Sequence, residues 1–336
     1  MTNPVRGARM QDIARHVGVS RAAVSFVLND RADARVSEAT RERILRAARE
    51  LGYRPNARAQ ALAARRSGLL GLVTEIVTSS FAPGVVRGAQ DAAWDAGTFL
   101  LIAASEGNPA MEAHAVERLL QQRVEGLIFA SGAHQQIAVP PAAAEVPSVL
   151  LHCFDADGRL PSVLPDEVGG GYTATRRLLQ AGHRRIGLVN LEAHTVAARG
   201  RLSGYTKALG EAGLAVDPEL VTHAPATSVG GYESAANLLD RRDPPTALFC
   251  CTDRMAMGAY DAIKERGLYI PTDVAVVGFD NQEIIAGYLR PTLTTVELPF
   301  QEMGTRSVDL LVAALAGEDV PPITVVACPL IERNSV

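Results

Sequence analysis

Lysine, cysteine, aromatic residues and long apolar runs are all scarce in this chain of 336 residues. Only two of its 33 basic residues are Lys; that bias points to a GC-rich genome and makes the number of arginines uninformative by itself. The four cysteines, Cys153, Cys250, Cys251 and Cys328, are scattered apart from one adjacent pair. With no C-x-x-C and no His at ligand spacing they exclude a zinc site and a disulfide framework, and they read as reduced core thiols. The most apolar stretches are broken by charge or Gly well short of the roughly 18 residues a membrane span needs. The amino terminus has no apolar h-region, so a cytoplasmic protein with no membrane partner is expected. No G-x-S-x-G, G-x-x-x-x-G-K-S/T or H-E-x-x-H sequence occurs, so no catalytic residue, metal or cofactor is assigned. Gly169 to Gly171 opens a helix but lacks the Lys and spacing of a phosphate loop, and reads as packing. Aromatic residues make up 5% of the chain, so a ring-stacking platform for any ligand has few sources: Phe81, Phe154, Phe279 and Tyr288.

What is abundant is positive charge at one end. The formal charge of the whole chain is -4, but residues 1–66 hold 14 Arg against 6 acids, a balance of +8 that leaves -12 for the rest. A basic module on an acidic body is the asymmetry of a chain whose first part meets a polyanion. Within it, Ile13, Ala14 and Val17 line one helical face, and Val24, Val27 and Leu28 line another. Between them Gly18 can adopt the left-handed conformation that ends a helix, Val19 plugs the angle, and Ser20 can cap the next helix. This spacing predicts a helix-turn-helix whose second helix enters a DNA major groove.

The outward positions of that helix are Arg21, Ala22, Ser25, Phe26 and Asn29. Arg21 suits guanine O6 and N7 as a bidentate donor, while Ser20, Ser25 and Asn29 suit phosphates. Phe26 either touches thymine methyls or packs under the next helix. A third helix is predicted from a Ser37 cap, with Glu38 in its first turn, to Gly52. Pro55 then breaks the chain, and 56–64 is a short Ala-rich cationic segment, either a linker or a helix that orders on binding.

Downstream, short aliphatic strands alternate with helical stretches: 69–73, 98–103, 126–129, 148–151, 186–189, 247–250 and 274–278. That is the pattern of parallel βα sheets. Roughly 270 residues divide well into two lobes, with a boundary near Ser162 to Asp166. Ligands of such folds sit where strand carboxyl ends face a crevice.

Asp12 to Ala14, Gly18 to Ser20, Val27 to Asn29, Leu51 to Asn56 and Ala59 to Leu62 together resemble the LacI/GalR family of bacterial transcription repressors. The likeness continues through Arg123 to Ile128, Gly182 to Ile186, Arg199 with Gly204 and Tyr205, Thr252 to Ala256, Val277 to Asp280 and Pro291 to Thr295. The resemblance implies an all-α helix-turn-helix DNA-binding domain (1–55), a hinge helix and linker (56–68), and an α/β two-lobed, periplasmic-binding-protein-like (type I) effector and dimerisation domain (69–336). Its first lobe would hold 69–163 and 296–323, its second 164–292 and 326–336.

By the same resemblance, Asn56, Arg58, Ala59 and Leu62 belong to a hinge helix that pairs across a homodimer in the minor groove, with Leu62 as the wedge between base steps. Arg199 and Asp280 match family ligand contacts. Asp166, Thr252 and Asp253 fall on the same rim, Phe279 precedes Asp280, and Ser79 with Phe81 occupies the first-lobe loop. The implied partners are a near-palindromic double-stranded operator and a small effector, a sugar or sugar derivative, with a purine or nucleoside as the alternative. Thr252 stands where relatives commonly have Asn, Ser79 and Ser80 replace Asn-Pro, and Phe26 and Arg9 replace Arg and Thr or Ser. A solute-binding protein for sugar uptake shares the two-lobed pattern, but would carry an export signal and no helix-turn-helix. The carboxyl end has no Leu heptads, so a terminal coiled coil is not expected.

Overall fold

The computed structural model describes residues 8–28, 36–53, 66–75 and 80–336, and the chain divides into two units, Met1–Gly68 and Leu69–Val336. The first is helical: α1 spans Met10–Val17, α2 Arg21–Leu28 and α3 Glu38–Glu50. Ile13, Ala14, Val17, Val24, Val27, Ile44, Ala47 and Ala48 are buried as one cluster, which fixes how the three helices pack. Gly18 ends α1 at φ +73, with its own N–H and that of Val19 both donating to the Ala14 carbonyl. A side chain here would strain the left-handed backbone, which is why glycine serves. Ser20 Oγ then accepts from Ala23 N at 3.1 Å and starts α2. Arg43 on α3 donates from Nη2 to the Val17 carbonyl at 2.7 Å, tying α3 to the end of α1.

Ser37 sits at the start of α3, but its hydroxyl pairs with Thr40 Oγ1 at 2.9 Å and not with a backbone amide. The expected side-chain cap is thus not made; the Ser37 hydroxyl pairs with Thr40 instead.

The second unit holds two six-stranded sheets. Along the chain come β1 (Leu69–Thr74), α4 (Ala82–Asp95), β2 (Phe99–Ala104), α5 (Pro109–Gln121), β3 (Gly126–Ile137), β4 (Ser148–Asp155) and β5 (Ser162–Pro165). Then follow α6 (Glu167–Gln180), β6 (Ile186–Leu191), α7 (Val196–Glu211), β7 (Val221–Ala224), α8 (Ser228–Leu239), β8 (Ala247–Cys250), α9 (Asp253–Glu265), β9 (Ala275–Asp280), α10 (Glu283–Ala286) and β10 (Thr294–Glu297). Last are α11 (Phe300–Leu315), β11 (Ile323–Val326) and β12 (Leu330–Ile331). The sheets run β11-β5-β4-β3-β1-β2 and β12-β10-β9-β8-β6-β7, parallel throughout except for β12 against β10. Helices cover both faces, so central strands such as Leu127–Phe129 and Leu248–Cys250 are apolar without alternation and fully buried. All four cysteines are free and buried.

The chain leaves the first sheet after Pro165, returns to it after Glu297 and leaves it again after Val326. The first lobe therefore keeps Leu164 and Pro165, which pair with β11, and the second keeps Val296 and Glu297, which pair with Phe279 and Asp280. Strand pairing sets where the chain crosses between the sheets. β7 lacked an aliphatic signature: its Val221-Thr222-His223-Ala224 is an edge strand and needs only one partner.

Candidate functional site

The carboxyl ends of β3 and β4 in the first lobe face those of β6, β8 and β9 in the second, across a cavity of about 500 Å³. The first lobe contributes Phe81, His134, Gln135, His152 and Phe154; the second contributes Leu191, Glu192, His194, Arg199, Arg201, Thr252, Arg254, Asp280 and Gln282. Chemistry concentrates on Arg201. Its Nε donates to Glu167 Oε2 at 2.8 Å, its Nη1 donates to the Cys251 carbonyl and lies 3.9 Å from Asp280 Oδ1, and its guanidinium carbon sits 3.7 Å above the Phe279 ring. Close helix packing puts it there: a Cβ on Gly171 of α6 would lie 2.4 Å from the Arg201 carbonyl oxygen, so only glycine lets α7 approach this far.

The buried charges oppose one another. Burial alone would raise the Glu167 carboxyl, but the Arg201 guanidinium and His134 overcome that and hold it at about 2. Asp280 is pushed by burial up to about 7 against the pull of Arg201. Burial, then the Asp280 charge, also lifts Asp253 well above the carboxylate range. His152 is pushed the other way, down to about 4, because burial disfavours its cation. Asp280 and Asn281 have φ of +111 and +53, a left-handed stretch of non-glycine backbone that turns the Asp280 carboxyl into the cleft. Polar contacts bridge the lobes: Ser80 Oγ donates to Gln282 Oε1 at 3.0 Å, and His134 Nδ1 faces Glu167 Oε1 at 3.5 Å. Gln282 also donates from Nε2 to Asp280 Oδ2 at 3.0 Å.

In the helical unit, α2 turns Val24 and Val27 inward and leaves Arg21 and Ala22 exposed, with Ser25 half-buried. Phe26 is 37% exposed. Ser20 spends its oxygen on the cap of α2 and keeps its O–H to donate.

A model described as "Bacterial regulatory proteins, lacI family" matches residues 9–56, and one for a periplasmic binding protein-like domain matches residues 175–336. The HTH-type transcriptional regulator GalR of Escherichia coli is 34% identical, covering 98% of this chain and 96% of that protein. The chain belongs to the LacI/GalR family. The ribose operon repressor of Haemophilus influenzae is also 34% identical, over 90% of this chain and 91% of its own length. Among solved structures, a lac repressor dimer bound to operator and an anti-inducer shares 30% identity over 98% of this chain and 99% of that one, with a TM-score of 0.80. The complex of the regulator CelR with cellobiose shares 31% identity over 98% and 100%, with a TM-score of 0.68.

Of the LacI-type ligand positions expected here, Phe81, Arg199, Thr252 and Asp280 line the cavity. Asp166, Asp253 and Phe279 do not. Asp166 Oδ1 accepts from Gly169 N at 2.7 Å and caps α6 at the crossover. Asp253 is fully buried, accepting from Thr295 Oγ1 at 2.6 Å and from Gln282 N at 2.7 Å, so it holds the loop behind Asp280. Phe279 lies beneath Arg201, outside the cavity. Of the four aromatic candidates, Phe81 and Phe154 line the cleft; Phe279 and Tyr288 do not. Ser79, Asn29, Asn56, Arg58, Ala59 and Leu62 lie outside the described residues.

Arg199 lines the rim, exposed, with Nη1 donating to the His194 carbonyl at 2.6 Å. The interior arginine is Arg201, which the motif reading passed over. A signal was available: Ala198, Arg201, Tyr205, Ala208 and Leu209 share the buried face of α7, and a charge on an apolar face needs a buried partner. His134, His152 and Gln282 were also missed: the two histidines lie within β3 and β4 where the register between those strands shifts, and Gln282 follows β9, placements that depend on the sheet pairing.

Proposed function

We propose that this LacI-family transcription regulator is a homodimeric repressor of a near-palindromic operator, released from DNA when a neutral sugar or sugar derivative occupies the cleft between its lobes. The observation that carries the effector half of this reading is the cavity of about 500 Å³ with an arginine and a carboxylate, Arg201 and Asp280, on one wall and aromatic rings on the other. Donor and acceptor side by side suit vicinal hydroxyls, each of which both accepts and donates. The relatives named for a ribose operon and for a cellobiose complex support a carbohydrate.

For DNA, the reading places α2 in the major groove, with Arg21 on guanine, Ala22 and Phe26 beside thymine methyls, and Ser20, Ser25 and Asn29 on phosphates. Residues 56–64, with Asn56, Arg58 and Ala59, pair with their symmetry mates in the minor groove, and Leu62 is the wedge. Exposed apolar side chains on the larger unit suit a two-fold partner: Trp94 and Phe99 are 67% and 54% exposed, beside the edge strand β2 of the first sheet. Effector binding that favours one lobe arrangement changes operator affinity by about 5- to 150-fold, the range for a coupling of about 1 to 3 kcal/mol. A gel-shift titration of the full chain on its operator, with and without the sugar that binds, tests the sign: ligand weakens DNA binding. Tighter DNA binding with ligand refutes induction.

A further inference from the structure

His152 stands in the middle of β4, yet its backbone is left-handed, at φ +59. A bulky residue adopts that conformation at a cost, and surrounding structure must hold it there. Here the register between β3 and β4 breaks between Ala130 and Gln135, so the strand buckles and turns the ring into the cavity lining. Nδ1 lies 3.2 Å from the Ser131 carbonyl oxygen. A carbonyl oxygen only accepts, so Nδ1 carries the hydrogen and the opposite nitrogen, Nε2, presents a lone pair. That Nε2 is buried and has no hydrogen-bond partner. Buried polar atoms in folded proteins are almost always paired, so a lone one on the wall of a ligand cavity marks a group that the ligand completes.

We infer that His152 is a specificity residue of the cleft, whose Nε2 accepts a hydrogen bond from a hydroxyl of the effector and so selects neutral polyols over their carboxylate or phosphate forms. This rests on the reading that the effector occupies the cleft. A carboxylate or phosphate oxygen brings no hydrogen and would meet the lone pair of Nε2 with its own. It is accommodated only if the ring is first protonated, and the surroundings resist that. The groups facing the ring are the Phe300 edge at 5.1 Å, the His134 ring at 5.8 Å and the Ser131 carbonyl; burial is what chiefly disfavours the cation, with His134 and Arg201 adding to it against the opposing pull of Glu167. With the ring held to about 4, the cation is disfavoured about a thousandfold at neutral pH. Arg201 complements the acceptor: its Nη2 makes no hydrogen bond among the described residues, so donor and acceptor both await hydroxyls.

The test is calorimetric titration of the full chain with ribose, galactose, glucose and cellobiose, and with ribonate, galactonate, gluconate, ribose 5-phosphate and glucose 6-phosphate. A neutral sugar is expected to bind with an enthalpy independent of buffer ionisation, which shows that no proton is taken up and needs no variant. His152→Phe is expected to weaken that sugar about tenfold or more, with His152→Gln, whose amide oxygen reaches the same region, recovering part of the loss. Among monodeoxy analogues of the sugar, one should lose as much in the wild type and nothing further in His152→Phe. Circular dichroism checks that both variants fold. Preference for an anionic probe, proton uptake on binding, or an undiminished affinity in His152→Phe overturns the inference. If Asp280→Asn still abolishes binding, the cleft reading survives that failure. If neither Asp280→Asn nor His152→Phe alters binding, or no probe binds, the cleft reading itself has failed and the inference falls with it.

Discussion

Two buried groups on opposite walls of the cleft respond to acid in opposite directions, and their difference is measurable. In the unfolded chain His152 takes its proton near 6.5, but in the fold only near 4. Acid therefore favours the unfolded chain, and stability present above about pH 6.5 is lost on the way down to about 4. Asp280 does the reverse, since the fold holds its proton up to about 7 and the unfolded chain only to 3.8. Its protonation stabilises the fold as pH falls through about 7, and that gain is withdrawn as pH rises again. At about 1.36 kcal/mol per pH unit, going from about pH 7.5 to about pH 5 costs about 2 kcal/mol through His152 and returns a gain of similar size through Asp280. Each is fully buried, so solvent screening removes little. The two nearly cancel in the wild type. His152→Phe removes the first and Asp280→Asn the second, so their responses diverge. For a unit of this size, at about 2 to 4 °C per kcal/mol, acidification should raise the melting temperature of His152→Phe by about 4 to 8 °C relative to wild type. It should lower that of Asp280→Asn by several degrees relative to wild type. Asp253 titrates with the sign of Asp280, and because the Asp280 charge helps to lift it, Asp280→Asn reduces its contribution too, in the same direction as the loss of Asp280 itself. Thermal melts of the larger unit at the two pH values decide it: three parallel responses refute the opposed assignment.

Three further outcomes follow from the same geometry. Arg201→Met leaves the Glu167 carboxylate buried beside no cation and should cost about 3 to 5 kcal/mol together with effector binding, whereas Arg199→Ala, exposed on the rim, should stay within about 0.5 kcal/mol in thermal melts. Leu62→Ala should sharply weaken operator binding in gel shifts while leaving calorimetric effector affinity intact; equal operator affinity would sink its role as a wedge. Operator affinity should fall with salt with a log–log slope of about -0.9 for each phosphate neutralised, while effector affinity stays nearly flat, and a flat operator response would remove the DNA assignment.

Local rules carried the helical unit far. The apolar spacing of Ile13, Ala14, Val17, Val24 and Val27 becomes its core, Gly18 turns at positive φ, and Ser20 caps α2, all set by neighbours within a few residues. Ser37 departs, its hydroxyl pairing with Thr40 instead. The aliphatic strands were equally legible, since burial on both faces leaves little but apolar residues. The cleft was legible in part, and the division has a cause. Asp280 and Thr252 sit directly at strand ends, where sequence position and spatial position coincide.

Arg199 and Arg201 are two residues apart on one helix, about 200° in phase, and only the helix's buried face tells which of them turns inward. The motif pointed to the former; the burial of Ala198, Tyr205 and Ala208 selects the latter. His152 needed still more: a bulge fixed by pairing with a strand some twenty residues away, and a carbonyl on that strand to set its tautomer. The charge split has the same limit. A balance of +8 on the first 66 residues announces a polyanion partner, because surface charge acts at long range whatever the fold. The acidic balance of the remainder says nothing of its ligand: inside the cleft, Arg201, Glu167, Asp280 and His152 set one another's protonation through burial and contact, which a sum over the sequence does not contain.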